Sequence, residues 1–167
     1  KKLAEKAHYL TTQAKDDPVR YIHNEVGYNF RLSDIQAALG VAQLEQLPDM
    51  LDRKQEIHKR YTDEIETIDG LSIARGPNYA RNNHWMNLLQ IESEIFGETP
   101  KQLMNRLEEN NVQTRPVWTL NHLQKPYQDC QSYQIEKAEE LVRTSLCLPS
   151  STNLTYENLN KVIKLIG

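Results

Sequence analysis

In the segment GYNFRLSDIQAALGVAQLEQL, residues 27–47, a polar loop leads directly into an apolar helix. Ser33 followed by Gln36 is a capping-box pattern. This pattern predicts a helix start, because each side chain satisfies a backbone N–H group of the first turn. Apolar residues then occupy most of the helix circumference. We therefore predict a helix that is buried between layers of the protein.

The loop before this helix is dense in hydrogen-bonding side chains, which is typical of a binding segment. Asn29 and Arg31 are two residues apart, so in an extended chain they project to the same side. An amide donor beside a guanidinium suits a phosphate or a carboxylate. An alternative stays open, in which Asn29 caps the turn and Arg31 pairs with a surface acid. Gly27 allows a turn of unusual backbone geometry here.

A second polar stretch is RPVWTLNH, residues 115–122. Arg115, Trp118 and His122 bring a cation, a flat stacking surface and a titratable ring within eight residues. We therefore consider this stretch a candidate functional segment. The alternative is a Trp that packs inward while its polar neighbours are exposed.

Apolar spacing along the rest of the chain predicts an alternation of helices and short strands. The predicted order is two helices, two strands, helix, strand, helix, strand, helix. In the strand predicted at 84–91, Trp85, Leu89 and Ile91 share one face, and Pro116 indicates an edge for the strand at 112–118. We predict the α/β class, as a small α+β layer with a short, mainly antiparallel sheet and flanking helices.

Composition excludes several classes of protein. The chain has 167 residues, enough for one domain with a core, and a formal net charge of -3 without long runs of Lys or Arg, so we expect no nucleic-acid partner. No apolar run approaches the ~20 residues that span a bilayer, so we expect no membrane association. Cys130 and Cys147 lie in no metal-type spacing, which predicts no metal site and a reducing, cytoplasmic location. His58 is predicted to be a solvated surface residue, and His84 a structural one.

Together these motifs resemble a known family. The 27–47 stretch, the R-K…I…RY pattern of the next helix, TRPVW…NH and LPSSTNLT are similar, in this order, to segments of the pyridoxal-phosphate-dependent sugar aminotransferases of the DegT/DnrJ/EryC1/StrS type. The resemblance covers essentially the whole chain from about residue 3.

The resemblance implies the fold of aspartate aminotransferase-like enzymes (pyridoxal phosphate fold type I). Residues 1–31 would be the tail of the large cofactor domain and a linker loop, and residues 32–167 the C-terminal small domain with its long connecting helix. The implied cofactor is pyridoxal 5'-phosphate, and the implied reaction moves an amino group from glutamate to a nucleotide-linked keto-sugar. TRPVWTLNHLQKPY, residues 114–127, looks like the subgroup that acts on UDP-linked 4-keto sugars in surface-glycan or nonulosonic-acid biosynthesis.

The resemblance also implies a homodimer with shared active sites. The family's Asn in GYNFR, here Asn29, would reach the cofactor phosphate in the partner's site, with Arg31 facing the cofactor or the anionic substrate there. The implied substrate-binding residues lie in the two polar stretches and are His122, Trp118, Arg115, Tyr28 and His23.

The Schiff-base lysine of this family lies in a Ser-x-x-Lys segment, and this sequence contains no such segment. We therefore expect the chain to be the C-terminal part of a longer enzyme, with no catalytic residue of its own and no activity alone. Two alternatives stay open. One is a non-catalytic regulatory or interaction protein of the same fold that lacks the lysine, and the other is a self-standing binding module for an anionic ligand. A Ser-x-x-Lys segment upstream of Lys1 would favour the enzyme.

Overall fold

The computed structural model describes residues 1–167 and divides them into two compact units, Lys1–Leu47 and Pro48–Gly167. The first unit contains helices α1 (Lys2–Thr11) and α2 (Asp34–Glu45), joined by the polar loop. The domain boundary expected after Arg31 concerns the large domain of a whole enzyme and stays a prediction.

The second unit has a four-stranded sheet and five helices. Its elements in chain order are α3 (Leu47–Ile65, which begins at the last residue of the first unit), β1 (Leu71–Ile73), β2 (Asn87–Ile91), α4 (Ser93–Phe96), α5 (Pro100–Glu109), β3 (Arg115–Pro116), α6 (Glu136–Thr144), β4 (Ser145–Leu148) and α7 (Tyr156–Ile166). Two short 3₁₀ turns, Asn121–Leu123 and Lys125–Tyr127, lie in the segment predicted as a loop. None of the helices is both long enough and apolar enough to cross a bilayer.

Helix α2 begins as the sequence predicts but is not buried. Ser33 Oγ accepts from Gln36 N at 3.4 Å, and Ser33 N donates to Gln36 Oε1 at 2.9 Å, which confirms the capping box. No residue of α2 is buried, and its exposed apolar side chains include Leu39 and Leu44. The prediction of a buried helix is therefore wrong for this chain, because burial needs a covering element that the helix's own sequence does not supply.

All neighbouring strands pair antiparallel, in the order β1-β2-β4-β3. Pro116 lies in the edge strand β3, as predicted. Strand β2 starts at Asn87 rather than at residue 84, because His84 has a left-handed φ of 48° that interrupts the extended path. Trp85 consequently lies outside the strand and is 64% exposed, so the prediction that it shares a face with Leu89 is wrong.

The core lies between one face of the sheet and three helices. Helix α3 contributes Ile57, Tyr61 and Ile65 at four-residue spacing, and these are fully buried. The remaining buried core residues come from the strands, α5, α7 and the turn after α5, and are Leu71, Ile73, Leu89, Ile91, Leu103, Leu107, Val112, Leu146, Leu148, Leu159, Val162 and Ile166. The predicted fold class, a mixed α/β protein with a small antiparallel sheet, is confirmed.

Candidate functional site

The polar loop of the first unit is held against α1 by backbone hydrogen bonds. Tyr28 N donates to Leu10 O at 2.7 Å, and Gln13 N donates to Tyr28 O at 3.0 Å. A Cβ at Gly27 would lie 2.3 Å from the Gln13 carbonyl carbon, closer than any side chain allows. Gly27 has no left-handed φ. The glycine is therefore explained by close approach of two backbone segments, and the predicted unusual backbone geometry is not found.

Asn29 and Arg31 are both exposed at the end of this loop. Asn29 Oδ1 accepts from Arg31 N at 3.2 Å, so Asn29 does cap the turn. The Arg31 guanidinium makes no ion pair, so the second half of the structural alternative is not found. The Asn29 amide nitrogen and the Arg31 guanidinium thus remain two donors without a partner in this chain, two residues apart.

His23 and Tyr28 are both hydrogen-bonded to the backbone of Gln13. His23 Nδ1 lies 2.8 Å from Gln13 O, and because a carbonyl oxygen only accepts, Nδ1 donates the hydrogen. The neutral ring then offers its Nε2 as an acceptor. The Tyr28 ring stacks on Phe30 with centroids 5.7 Å apart, and both rings are exposed.

A carboxylate fixes the start of the loop. Asp16 Oδ2 accepts from Asn24 N at 2.8 Å and from the Tyr9 hydroxyl at 2.9 Å, and these bonds lower the pKa of Asp16. Desolvation and the bond to Asp16 raise the pKa of Tyr9 to about 12. Asp16 is therefore ionised and Tyr9 protonated at neutral pH, which keeps this hydrogen bond intact.

The second group of predicted site residues lies in the second unit. Trp118 is 61% exposed and stacks on Trp85, with ring centroids 5.9 Å apart and planes inclined by 28°. The alternative of an inward-packed Trp118 is therefore wrong. Arg115 is exposed in β3 and forms no ion pair. His122 lies in a 3₁₀ turn with Nε2 3.6 Å from Glu139 Oε1.

Sequence reasoning missed the residues that hold Trp85. The Trp85 carbonyl accepts from Ser150 Oγ at 2.8 Å and from Lys54 Nζ at 3.4 Å. Lys54 Nζ also donates to Ser150 O. Desolvation lowers the pKa of this ammonium group. These three residues are far apart in the sequence, and no local pattern could have joined them.

A stacked histidine pair lies beside Trp85. The His58 and His84 rings have centroids 3.9 Å apart, and His58 Nδ1 lies 2.9 Å from Oδ1 of Asn87, which is buried. The prediction that His58 is a solvated surface residue is wrong, because its half-buried ring stacks on His84 and is hydrogen-bonded to Asn87. Desolvation, followed by the charge of His58, lowers the pKa of His84.

From the stacked pair His58 and His84 we predict that the protein loses stability in mild acid. Because the folded state lowers the pKa of His84, the unfolded chain binds more protons once the pH falls below the ordinary value of about 6.5. We expect the free energy of unfolding to be maintained above that pH and to decrease as the pH falls from about 6.5 through the lowered pKa of His84. Urea unfolding at a series of pH values measures it.

The matched variants are His84→Asn, which removes the titrating ring and tolerates the left-handed φ, and His8→Gln on the exposed face of α1. In His84→Asn, the free energy of unfolding should decrease less as the pH falls below about 6.5. In His8→Gln, its dependence on pH should be that of the wild type. An unchanged decrease in His84→Asn would show that other groups cause it.

Solved structures of aminotransferases share the fold of this chain. An aminotransferase TlmJ from Streptoalloteichus hindustanus superposes on 99% of this chain and 44% of its own length, with a TM-score of 0.79 and 24% identity. The fold described above is thus shared with about two fifths of that solved structure.

The chain belongs to the DegT/DnrJ/EryC1/StrS aminotransferase family, whose model matches residues 1–167. It is 34% identical to EpsN of Bacillus subtilis (strain 168), named as a pyridoxal phosphate-dependent aminotransferase, over 97% of this chain and 42% of that protein. It is 29% identical to GDP-perosamine synthase of Caulobacter vibrioides, over 96% of this chain and 43% of that protein. The chain therefore spans about two fifths of the length of these relatives.

Proposed function

We propose that the full-length protein is a sugar aminotransferase that moves an amino group from glutamate to a UDP-linked 4-keto sugar for surface-glycan or nonulosonic-acid biosynthesis. The observation that supports it most is the match to the aminotransferase family over the whole chain. Pyridoxal phosphate, when bound, supplies the electron sink that amino transfer requires. The cofactor-bearing lysine would lie in the part of the relatives' length that this chain does not span.

The polar loop fits a phosphate group. A phosphate monoester carries about two negative charges near pH 7 and accepts several hydrogen bonds. The loop offers the Asn29 amide nitrogen and the Arg31 guanidinium, both exposed and without a partner in the chain. Because the Asn29 oxygen is fixed by Arg31 N, the side-chain amide is already oriented before any anion arrives. In our proposal these two donors hold the phosphate of the cofactor.

Helix α2 supports a shared site. Its exposed apolar side chains, among them Leu39 and Leu44, form a surface that a second subunit would cover. The phosphate-binding loop ends where α2 begins, so a twofold interface on α2 would bring each loop to the other subunit. We propose that Asn29 and Arg31 serve the partner's cofactor.

The second group of residues would hold the nucleotide sugar. Arg115, which is exposed and unpaired, suits the diphosphate, and Trp118 offers a flat face. His122 Nε2 would exchange its weak contact with Glu139 for a sugar hydroxyl. Tyr28 and His23, in the polar loop of the first unit, would also contact the substrate.

The test of this function uses the full-length protein. We expect it to purify with an absorbance band of covalently bound cofactor. Addition of glutamate should change this band, and subsequent addition of a UDP-linked 4-keto sugar should restore it. A GDP-linked 4-keto sugar is the comparison substrate, because one relative is named GDP-perosamine synthase. A protein without a cofactor band would favour the non-catalytic alternative.

Removal of the His122 ring should affect only one half of the reaction. In full-length His122→Ala we expect kcat/KM for the nucleotide sugar to fall about tenfold, the effect of one lost polar contact, while the reaction with glutamate is unchanged. Stopped-flow absorbance follows the two half-reactions separately. Gln128→Ala, an exposed residue of the same loop, is the control and should change neither. An equal decrease in both half-reactions would contradict the placement of His122 in the sugar pocket.

A further inference from the structure

We propose that Trp85 and Trp118 together form a stacking platform for the base of the nucleotide, and that this platform accepts different bases. The inference rests on the proposed function and adds to it a residue, Trp85, that the sequence motif does not contain. It also assigns a particular part of the substrate to these two indoles.

The geometry of the pair determines how a ligand can bind. Both side chains are more than 60% exposed although they stack on each other. A planar ring placed between two indoles would need their centroids about 7 Å apart, twice the optimal separation of stacked carbon atoms. The observed distance is 5.9 Å. The gap between the two rings is therefore too narrow for a base, and we place the base on exposed indole surface outside that gap.

The backbone of Trp85 is held in place by three hydrogen bonds. The Trp85 carbonyl is bound by Ser150 Oγ at 2.8 Å and by Lys54 Nζ, and Trp85 N donates to Asn83 Oδ1 at 3.1 Å. These bonds connect the segment before β2 to α3 and to the segment after β4. Because the backbone of Trp85 is already held, a ligand that stacks on its indole has to order the side chain but not the segment that carries it.

The chemistry of the surface fits a nucleobase. An indole face attracts a second planar π-system, which a nucleobase has and a sugar ring lacks. Arg115, unpaired and three residues before Trp118, suits the diphosphate that follows the base in a nucleotide sugar. Lys54, the cation next to Trp85, is occupied by two carbonyl oxygens and is not available to distinguish base edges.

Stacking accepts any base, because every base has a π-face. A site that relies on the Trp85–Trp118 pair should therefore bind UDP and GDP with similar affinity.

The test measures binding of UDP and of GDP to the full-length protein by calorimetry. We expect dissociation constants within about fivefold of each other in the wild type. Trp85→Ala should weaken both about tenfold, because a base stacked on an aromatic side chain typically contributes that factor or more. Trp85→Phe keeps an aromatic face, so its affinities for UDP and GDP should lie between those of the wild type and those of Trp85→Ala. Tyr79→Ala removes an exposed aromatic ring from the same segment and should leave both affinities unchanged.

Three outcomes would overturn the platform. These are unchanged UDP affinity in both Trp85 variants, a preference of more than a hundredfold for one base, and a shift in the sedimentation profile of Trp85→Ala with unchanged UDP affinity. The last would show that the indoles are covered by a protein surface instead.

The cofactor band and its response to glutamate are recorded for every variant. Failure of those readouts in the wild type would contradict the proposed function, whereas their retention with unchanged UDP binding would contradict the platform alone.

Discussion

Two inactive full-length variants should restore activity when they are combined in one dimer. One variant lacks the cofactor-bearing lysine, and the other has Asn29→Ala together with Arg31→Ala. If the loop serves the partner's site, both defects in a mixed dimer fall in the same site and the other site is intact. We therefore expect about half of the wild-type activity per mixed dimer, against near-background activity for either parent. Purification through two different affinity tags isolates the mixed species for the assay.

The chain offers a matched control for this experiment. Asn24→Ala together with Arg20→Ala removes the same two residue types from the same loop, and Arg20 already pairs with Asp17 at 3.2 Å. That double variant should stay active as a homodimer. If isolated mixed dimers have no more activity than their parents, the loop acts within its own subunit and the shared site is wrong.

Truncation of Tyr61 should have the largest effect on stability. Its ring is fully buried in the core, and its hydroxyl donates to Pro149 O at 2.9 Å. Tyr61→Ala leaves a cavity and an unpaired carbonyl, and we expect it to lower the free energy of unfolding by about 3–5 kcal/mol. Tyr61→Phe keeps the ring and removes only the hydroxyl, so we expect it to lower the free energy of unfolding by about 1–3 kcal/mol. Urea unfolding followed by circular dichroism measures both.

An exposed tyrosine provides the comparison. Tyr133 is 77% exposed, and Tyr133→Ala should change the free energy of unfolding by less than about 0.5 kcal/mol. Equal costs for Tyr61→Phe and Tyr61→Ala would show that the hydrogen bond to Pro149, rather than the packing of the ring, provides the stabilisation.

Features that depend on a few neighbouring residues could be predicted from the sequence. Ser33 and Gln36 form the predicted capping box at the start of α2, because the hydroxyl and the amide need only the first-turn backbone groups. The edge position of Pro116 follows from its missing N–H group, which excludes it from the middle of a sheet. The family resemblance rested on such local motifs and is confirmed.

Features that depend on distant residues could not be predicted. The pattern of alternating apolar residues predicted that Trp85 shares a strand face with Leu89 and Ile91, but the left-handed backbone at His84 ends the extended path before Trp85. The contact of His58 with Asn87 joins residues 29 positions apart, and no local spacing indicates it. The roles of Asn29, Arg31, His122, Trp118, Arg115, Tyr28 and His23 remain predictions, because they concern a cofactor, a substrate and a second subunit.

The two edges of the sheet bear on how this protein resists aggregation. An edge strand presents unpaired N–H and C=O groups that can recruit a strand from another chain into a continuous intermolecular sheet. Here one edge, β1, has three residues, and the other, β3, has two, one of which is a proline that cannot donate. Edge strands this short present few free backbone N–H and C=O groups to an incoming strand. We therefore expect a concentrated or partly unfolded sample to associate through its apolar side chains, above all those of α2, before it forms amyloid-like ribbons.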